Sequence, residues 1–442
     1  MIKKVYSLYK QPLICDTIHT TIWSTIGKAA GFLVPFFIAA WFGVSSETDA
    51  FFFAYSVILY ISGIFGPVIE IVIVPYIAEA RENNEDVGSF IGQILSASTL
   101  TILIFSTALM LIIKPLLLII TQFDSQSLSL IYRILIETSP LILFVTWTGV
   151  LSGSLNTYKK FVFPAISPAF RAIINIVIIF TFKDLYGVHA IAFGYIIGEF
   201  LRLVILFFIV KKLNLFKVRF SLHLDQKFKL FFKTALFQTI SMVTMGLNPI
   251  IGKTMASWLN EGSVSIYYYA ERLYMILITL MTTGIMVTLL SHWSERVSQL
   301  GQHKVKQDVT RTAKMILYVT FPVTLALIIF HQPIVRIAFG RGEFDVDKLH
   351  DVGWAWVCFL VGFVPFIIAR VYIRGLLVFK KTNIILIVSV IKTLVNIVLS
   401  YLLMSVWQLK GIALSLSIAS LVEVILYISI FNKIDNSEVA RA

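Results

Sequence analysis

The sequence predicts an all-α integral membrane protein, with about twelve transmembrane helices in two six-helix lobes. Three observations predict it. Of 442 residues, 58% are hydrophobic and 14% charged, with a mean hydropathy of +0.87, far on the apolar side of soluble chains. Apolar stretches of roughly 20 residues, the length that crosses a bilayer, recur to the C-terminus, so a cleaved leader does not account for them. The second half also repeats features of the first at a near-constant offset.

The spans are delimited by polar clusters, Gly and Pro. Span 1 (18–43) closes at Gly43, span 2 (50–79) at the polar run EARENNED, and span 3 (90–112) before Lys114 and Pro115. Span 4 (131–155) runs into GSLNTYKK, span 5 (161–182) stops before Lys183, and span 6 (188–210) before Lys211 and Lys212. Span 7 (232–259) ends at Asn260, Glu261 and Gly262, and span 8 (264–291) at His292. Span 9 (314–331) and span 10 (352–378) flank a loop of about twenty residues, and span 11 (382–405) and span 12 (410–431) complete the set. The predicted domains are an N-terminal lobe (1–210), a cytoplasmic linker (211–231) and a C-terminal lobe (232–442).

Charge orients the chain. With the N-terminus inside, inner segments carry 22 Lys and Arg, outer loops carry 7, and 8 lie within spans. Cytoplasmic loops hold such an excess, so both termini are expected in the cytoplasm. The net charge of +13 then reflects orientation and contact with anionic membrane lipid, ahead of nucleic acid. Two cysteines, Cys15 and Cys358, form no disulfide framework or Cys-based metal site. The sequence contains no GxxxxGK, HExxH or GxSxG, so neither an ATP-driven pump in one chain nor an enzyme is expected. The acids of EFDVD, Asp345 and Asp347, are expected in a solvated turn.

An offset of 216 residues brings FFFAY (51–55) onto YYYAE (267–271) and Glu79 onto Glu295. An offset of 221 brings Lys159 and Lys160 onto Lys380 and Lys381, Arg171 onto Lys392, and the NIV at Asn175 onto that at Asn396. Six spans per half is an even number, so the repeat is parallel, and transporters built this way bind substrate between their halves.

Eight cations fall within spans, more than two residues from either end: Lys28, Arg171, Arg202, Lys253, Arg272, Arg370, Arg374 and Lys392. Five acids stand against them: Glu70, Glu137, Glu199, Glu271 and Glu423. A charge at the bilayer centre costs about 2.5 to 3.5 kcal/mol on insertion scales, so the surplus implies water or an anionic ligand. Arg202 has Glu199 one turn earlier, a local pair. Lys28 lies among small residues, Lys253 interrupts NPIIGKTMASW, and Arg272 follows Glu271 about 100° around the helix. Two readings stay open for Lys28, Lys253 and Arg272: lining a central anion site, or structural pairing with acids such as Glu70. A lipid-linked pyrophosphate suits the first, because Arg offers a fork and Lys a point charge. Glu70 and Glu271 are the candidates for coupling to sodium or protons.

The segment GSLNTYKKFVFPAISPAF (Gly153–Phe170) places Asn156, Lys160, Pro164 and Pro168 on the pattern G-x-L-N-[ST]-x-x-[KR]-F-x-x-P-A-x-x-P. The chain resembles, on this signature, the MurJ (MviN) lipid II flippase family of the multidrug/oligosaccharidyl-lipid/polysaccharide exporter superfamily. Further matches are FGVSSETDAFFFAY, VPYIAEA, GSVSIYYYAERL, FGRGEF and GIALSLSIA. The resemblance implies a V of two lobes, alternating access, and translocation of an undecaprenyl-pyrophosphate-linked peptidoglycan precursor across the bacterial inner membrane. It also implies a cationic cavity, with Lys28 where the family has arginine and Glu271-Arg272 where it has Asp-Arg. The family's helix 1 Arg-Asp pair falls here on Val34 and Pro35, and its helix 2 arginine near Ser62 and Gly63, which leaves room for a different lipid-linked glycan. The family commonly carries two further C-terminal helices.

Overall fold

A computed structural model describes residues 12–221, 225–245, 248–282, 289, 292–293, 296–297, 299, 301–379 and 381–433. Glu295, Lys380 and both chain ends lie outside the described residues. Every regular element among those described is helical: α1 (Pro12–Phe42), α2 (Ser46–Glu82), α3 (Val87–Ile120), α4 (Ser125–Thr138), α5 (Pro140–Thr157), α6 (Val162–Tyr186), α7 (His189–Lys212), α8 (Gln226–Met245), α9 (Asn248–Ala256), α10 (Ser263–Thr282), α11 (Gln302–Ile329), α12 (His331–Phe339), α13 (Val346–Val361), α14 (Phe363–Val378) and α15 (Thr382–Lys433). Nine helical stretches among the described residues are long and apolar enough to cross a membrane.

Two expected single spans, 4 and 10, are each interrupted by a one-residue turn. Span 4 divides into α4 and α5 at Pro140, whose ring displaces the preceding turn's carbonyl and which has no N–H to give it. Span 7 is described as α8 and α9, and residues 246–247 between them lie outside the described residues. Span 10 divides into α13 and α14 at Gly362. Spans 11 and 12 are the two limbs of α15, bent at Gln408, whose φ of 47° and ψ of −129° interrupt the helix. The twenty-residue loop before span 10 is largely the short helix α12, which buries Val335 and Phe339 and leaves Arg336 exposed.

The polar connections cap helices. Asp86, in the acidic run after span 2, accepts hydrogen bonds from the N–H groups of Gly88 and Ser89 and starts α3. Asp124 does the same for α4, and Asp345 accepts from Asp347 N–H at the start of α13. Such caps satisfy N–H groups that have no partner inside the helix.

Two compact units divide the chain. The first holds Met1–Ile38 and Ala50–Val243, and the second Ala39–Asp49 and Thr244–Ala442. Span 7 therefore contributes α8 to the first unit and α9 to the second. The connection after α7 is strapped to the first unit: Arg219 N–H donates to the Gly88 carbonyl, Arg219 pairs with Asp86 at 3.0 Å, and Lys227 with Glu85 at 2.7 Å. The Lys227 hydrogen bond holds the Glu85 carboxyl below its usual range.

Within the first unit, small residues let α5 approach α2 closely. A Cβ on Gly149 would collide with the Gly66 carbonyl, and one on Gly153 with the Glu70 carbonyl. Small residues at four-residue spacing commonly set such contacts in membranes. Because the obstacle is backbone, which cannot rotate away, Gly149→Leu should destabilise the fold by at least about 1–3 kcal/mol. Thermal unfolding in detergent checks this, and an unchanged melting temperature would refute the close contact.

Candidate functional site

In the first unit, α1 carries Lys28 on an exposed flank. Its neighbour Gly27 sits where a Cβ would lie 3.5 Å from Pro168 and would strike the Ala165 carbonyl. The signature segment thus packs beneath the turn that presents Lys28. That segment is fixed at both ends. Lys160 N–H donates to the Leu155 carbonyl and Lys159 adopts a φ of 57°, closing α5, while the Lys160 side chain stays exposed. Arg81 lies 4.3 Å over the Tyr158 ring and donates to the Thr157 carbonyl. Pro164 is buried, and its carbonyl accepts from the Ser167 hydroxyl.

Asn156 donates to Glu70 at 3.2 Å, so the signature asparagine orients the one carboxylate in the middle of α2. Ser167 accepts from Arg202, and Arg202 and Arg171 each pair with Glu199 at 3.0 Å. Glu199 is fully buried. The expected pairing of Arg202 with Glu199 is present, and Arg171 joins it.

In the second unit, Lys253 is 3% exposed and bonds Glu271 at 2.5 Å. Tyr267 and Tyr268 flank the ammonium, each ring centre 5.8 Å away. Gly252 makes room for this arrangement, since a side chain there would overlap the Tyr267 hydroxyl. Glu271 therefore faces α9. Arg272, a third of a turn onward, lies with its guanidinium 4.7 Å over Tyr268, as the 100° step between adjacent helical residues requires.

A second buried cluster surrounds Glu423, which bonds Lys392 at 2.6 Å and Arg370 at 3.0 Å. Both cations also lie near the Phe366 ring, at 5.1 and 4.4 Å. Beside it, Asn396 donates to Asn248 on α9 and accepts from Ser415, linking α9 to both limbs of α15.

Each unit thus has two cations gathered on one buried glutamate. Sequence reasoning missed these triads. The offset of 221 did align Arg171 with Lys392, but it pairs Glu199 with Ser420 rather than Glu423, so the shared acid was hidden. It missed Asp49 as well. This carboxylate accepts from Gly262 and Ser265 N–H, both at 2.7 Å, and caps α10 from a distant part of the chain.

The in-span charges divide unevenly. The first unit has three of the cations (Lys28, Arg171, Arg202) and three acids (Glu70, Glu137, Glu199). The second has five cations (Lys253, Arg272, Arg370, Arg374, Lys392) and two acids (Glu271, Glu423). The whole surplus identified in the sequence belongs to the second unit.

Known proteins share both the sequence and the fold. A probable lipid II flippase MurJ of Buchnera aphidicola (subsp. Schizaphis graminum) is 27% identical over 442 residues, covering 95% of this chain and 84% of its own. That of Rickettsia prowazekii is 25% identical, covering 89% and 79%. Among solved structures, a lipid II flippase MurJ in an inward closed conformation superposes with a TM-score of 0.80 at 24% identity, covering 97% of this chain and 89% of that one. An inward-facing MATE family multidrug resistance transporter of the MOP superfamily gives 0.78 at 14%, covering 95% and 96%. These structures establish a shared fold. Residues 38–440 match the family described as lipid II flippase MurJ, and a match of that extent makes this chain a member of the MurJ family.

Proposed function

We propose that the protein carries lipid II from the cytoplasmic to the outer leaflet of a bacterial inner membrane by alternating access, with both termini in the cytoplasm. The observation that carries this reading is the charge division of the second unit, five in-span cations to two acids among the described residues. A membrane interior with that surplus suits a cargo bearing concentrated negative charge, and the pyrophosphate of a lipid-linked precursor has it. The relatives named above are described as flippases of that cargo.

Lys28 and Arg272 are the residues proposed to hold the phosphates. Lys253 joins them when Glu271 turns away or takes a proton, because its ammonium is otherwise occupied. That exchange gives Glu271 a coupling role, and Glu70, held by Asn156, is the second candidate.

A neighbouring reading keeps the mechanism and changes the glycan. The residue that favours it is Lys28, which offers a point charge in place of the family's arginine fork. Depletion of the protein in its host separates the two. Lipid II should accumulate in the cytoplasmic leaflet and become inaccessible to an externally added lipid II-binding probe. Unchanged lipid II with accumulation of another lipid-linked glycan would overturn the assignment.

A further inference from the structure

One aromatic ring of the second unit is shared by two of its in-span cations. Tyr268 precedes Arg272 by four residues on α10, so the two side chains lie one turn apart on one face of the helix. The Arg272 guanidinium carbon sits 4.7 Å from the ring centre, well within reach of a cation–π contact. The Lys253 ammonium, held by Glu271, lies 5.8 Å from the same centre.

The ring is fixed from behind. Tyr268 is fully buried, and Tyr269 meets it edge to face with centres 5.8 Å apart and planes at 73°. Tyr269 is anchored in turn: its hydroxyl donates to the Gly43 carbonyl at 3.1 Å, and its ring packs on Phe339 and Phe344 at 5.1 and 5.4 Å. A large side chain enclosed in this way has little room to swing, so it offers Arg272 a stationary platform. Because Tyr268 and Arg272 both belong to α10, the contact moves with the helix and does not depend on the placement of other elements.

Stacking of this kind complements anion binding. A ring attracts the flat face of a guanidinium, whereas a phosphate is gripped by the N–H groups in the guanidinium plane. The two contacts use different parts of the group, and the plane of the ring sets the direction in which the fork opens. A long side chain already held in place also gives up less conformational freedom when the anion arrives.

We infer that Tyr268 is a positioning residue for the anion seat: its ring face holds the Arg272 guanidinium flat and aims the N–H fork at the phosphates of the cargo. This rests on the reading of Arg272 as a phosphate-binding residue.

Binding of a lipid II analogue with a shortened chain to the purified full-length protein in detergent tests it. Tyr268→Phe keeps the ring and should hold the dissociation constant within about twofold. Tyr268→Leu removes the ring and should weaken binding roughly three- to thirtyfold. A graded series replaces Tyr268 with phenylalanines carrying one, two and three ring fluorines, which draw electron density from the ring face and barely change its shape. Affinity should fall at each step. A ring with a merely structural role gives no such gradient, and the series keeps the test valid should Tyr268→Leu fail to fold. In an Arg272→Ala background the gradient should vanish, as expected of an effect that acts through that residue. A flat series, or a gradient that survives Arg272→Ala, would overturn the positioning role while leaving Arg272 its own. Unchanged affinity in Arg272→Ala would instead overturn the phosphate-binding reading, and the inference with it.

Discussion

Arg272→Ala abolishes complementation of a strain depleted of the protein, while synthesis and membrane insertion stay normal. The expectation follows from how α10 distributes its charges. Glu271 is buried and committed to Lys253, and Arg272 projects from the adjacent position over the Tyr268 ring. Removing Arg272 leaves that buried pair intact, so the fold has little reason to fail. What is lost is a guanidinium fork that can bond an anion twice, and charge-assisted hydrogen bonds contribute about 1.5–3 kcal/mol each. A loss of that size lowers headgroup affinity by roughly tenfold to more than a hundredfold. Arg272→Lys keeps the charge without the fork and should retain part of the function. Lys253→Gln supplies the contrast: it strands Glu271 in a buried position, so its defect should register as low protein yield rather than as inactive protein. Full complementation by Arg272→Ala would remove this residue from the substrate path.

The legibility of this chain follows from which interactions are local. Hydrophobic runs are local, so the spans and their order were readable, and the proline and glycine positions at which spans 4 and 10 are interrupted were visible as residues though not as breaks. A proline inside an apolar run can bend a membrane helix without ending it, so Pro140 did not by itself declare two helices. The pairing of Arg202 with Glu199 was readable because three residues separate them. Lys253 with Glu271, and Lys392 with Glu423, are 18 and 31 residues apart, and nothing in the sequence marks such partners as facing one another. Asp49 is the extreme case, since its two N–H partners lie 213 and 216 residues away. The surplus of in-membrane cations and its concentration in the second half were countable in the sequence, whereas which acid each buried cation meets was not.

The triad around Glu423 gives the largest expected effect on stability. Glu423 is 1% exposed and is the shared partner of Lys392 and Arg370. Glu423→Gln keeps the shape but removes the only carboxylate bonded to either cation among the described residues, leaving the buried Lys392 ammonium beside the half-buried Arg370 guanidinium. Breaking a buried ion pair by deleting one member costs about 3–5 kcal/mol, and repulsion between the remaining cations adds to it. The matching change in the first unit, Glu199→Gln, should cost less, because Arg202 also lies in the field of Glu70 and keeps a counter-charge. Restoring balance should rescue the severe case. Lys392→Met in the Glu423→Gln background removes one of the stranded cations, and replacing a buried ion pair by apolar groups of similar volume is often close to neutral. The double variant should therefore melt above the Glu423→Gln single variant, although it carries one more substitution. Thermal unfolding in detergent of the wild type and these three variants checks the order. Equal destabilisation by Glu423→Gln and Glu199→Gln, or a double variant no more stable than Glu423→Gln alone, would mean that these cations find their counter-charge in solvent and that the second unit tolerates its surplus without the glutamate.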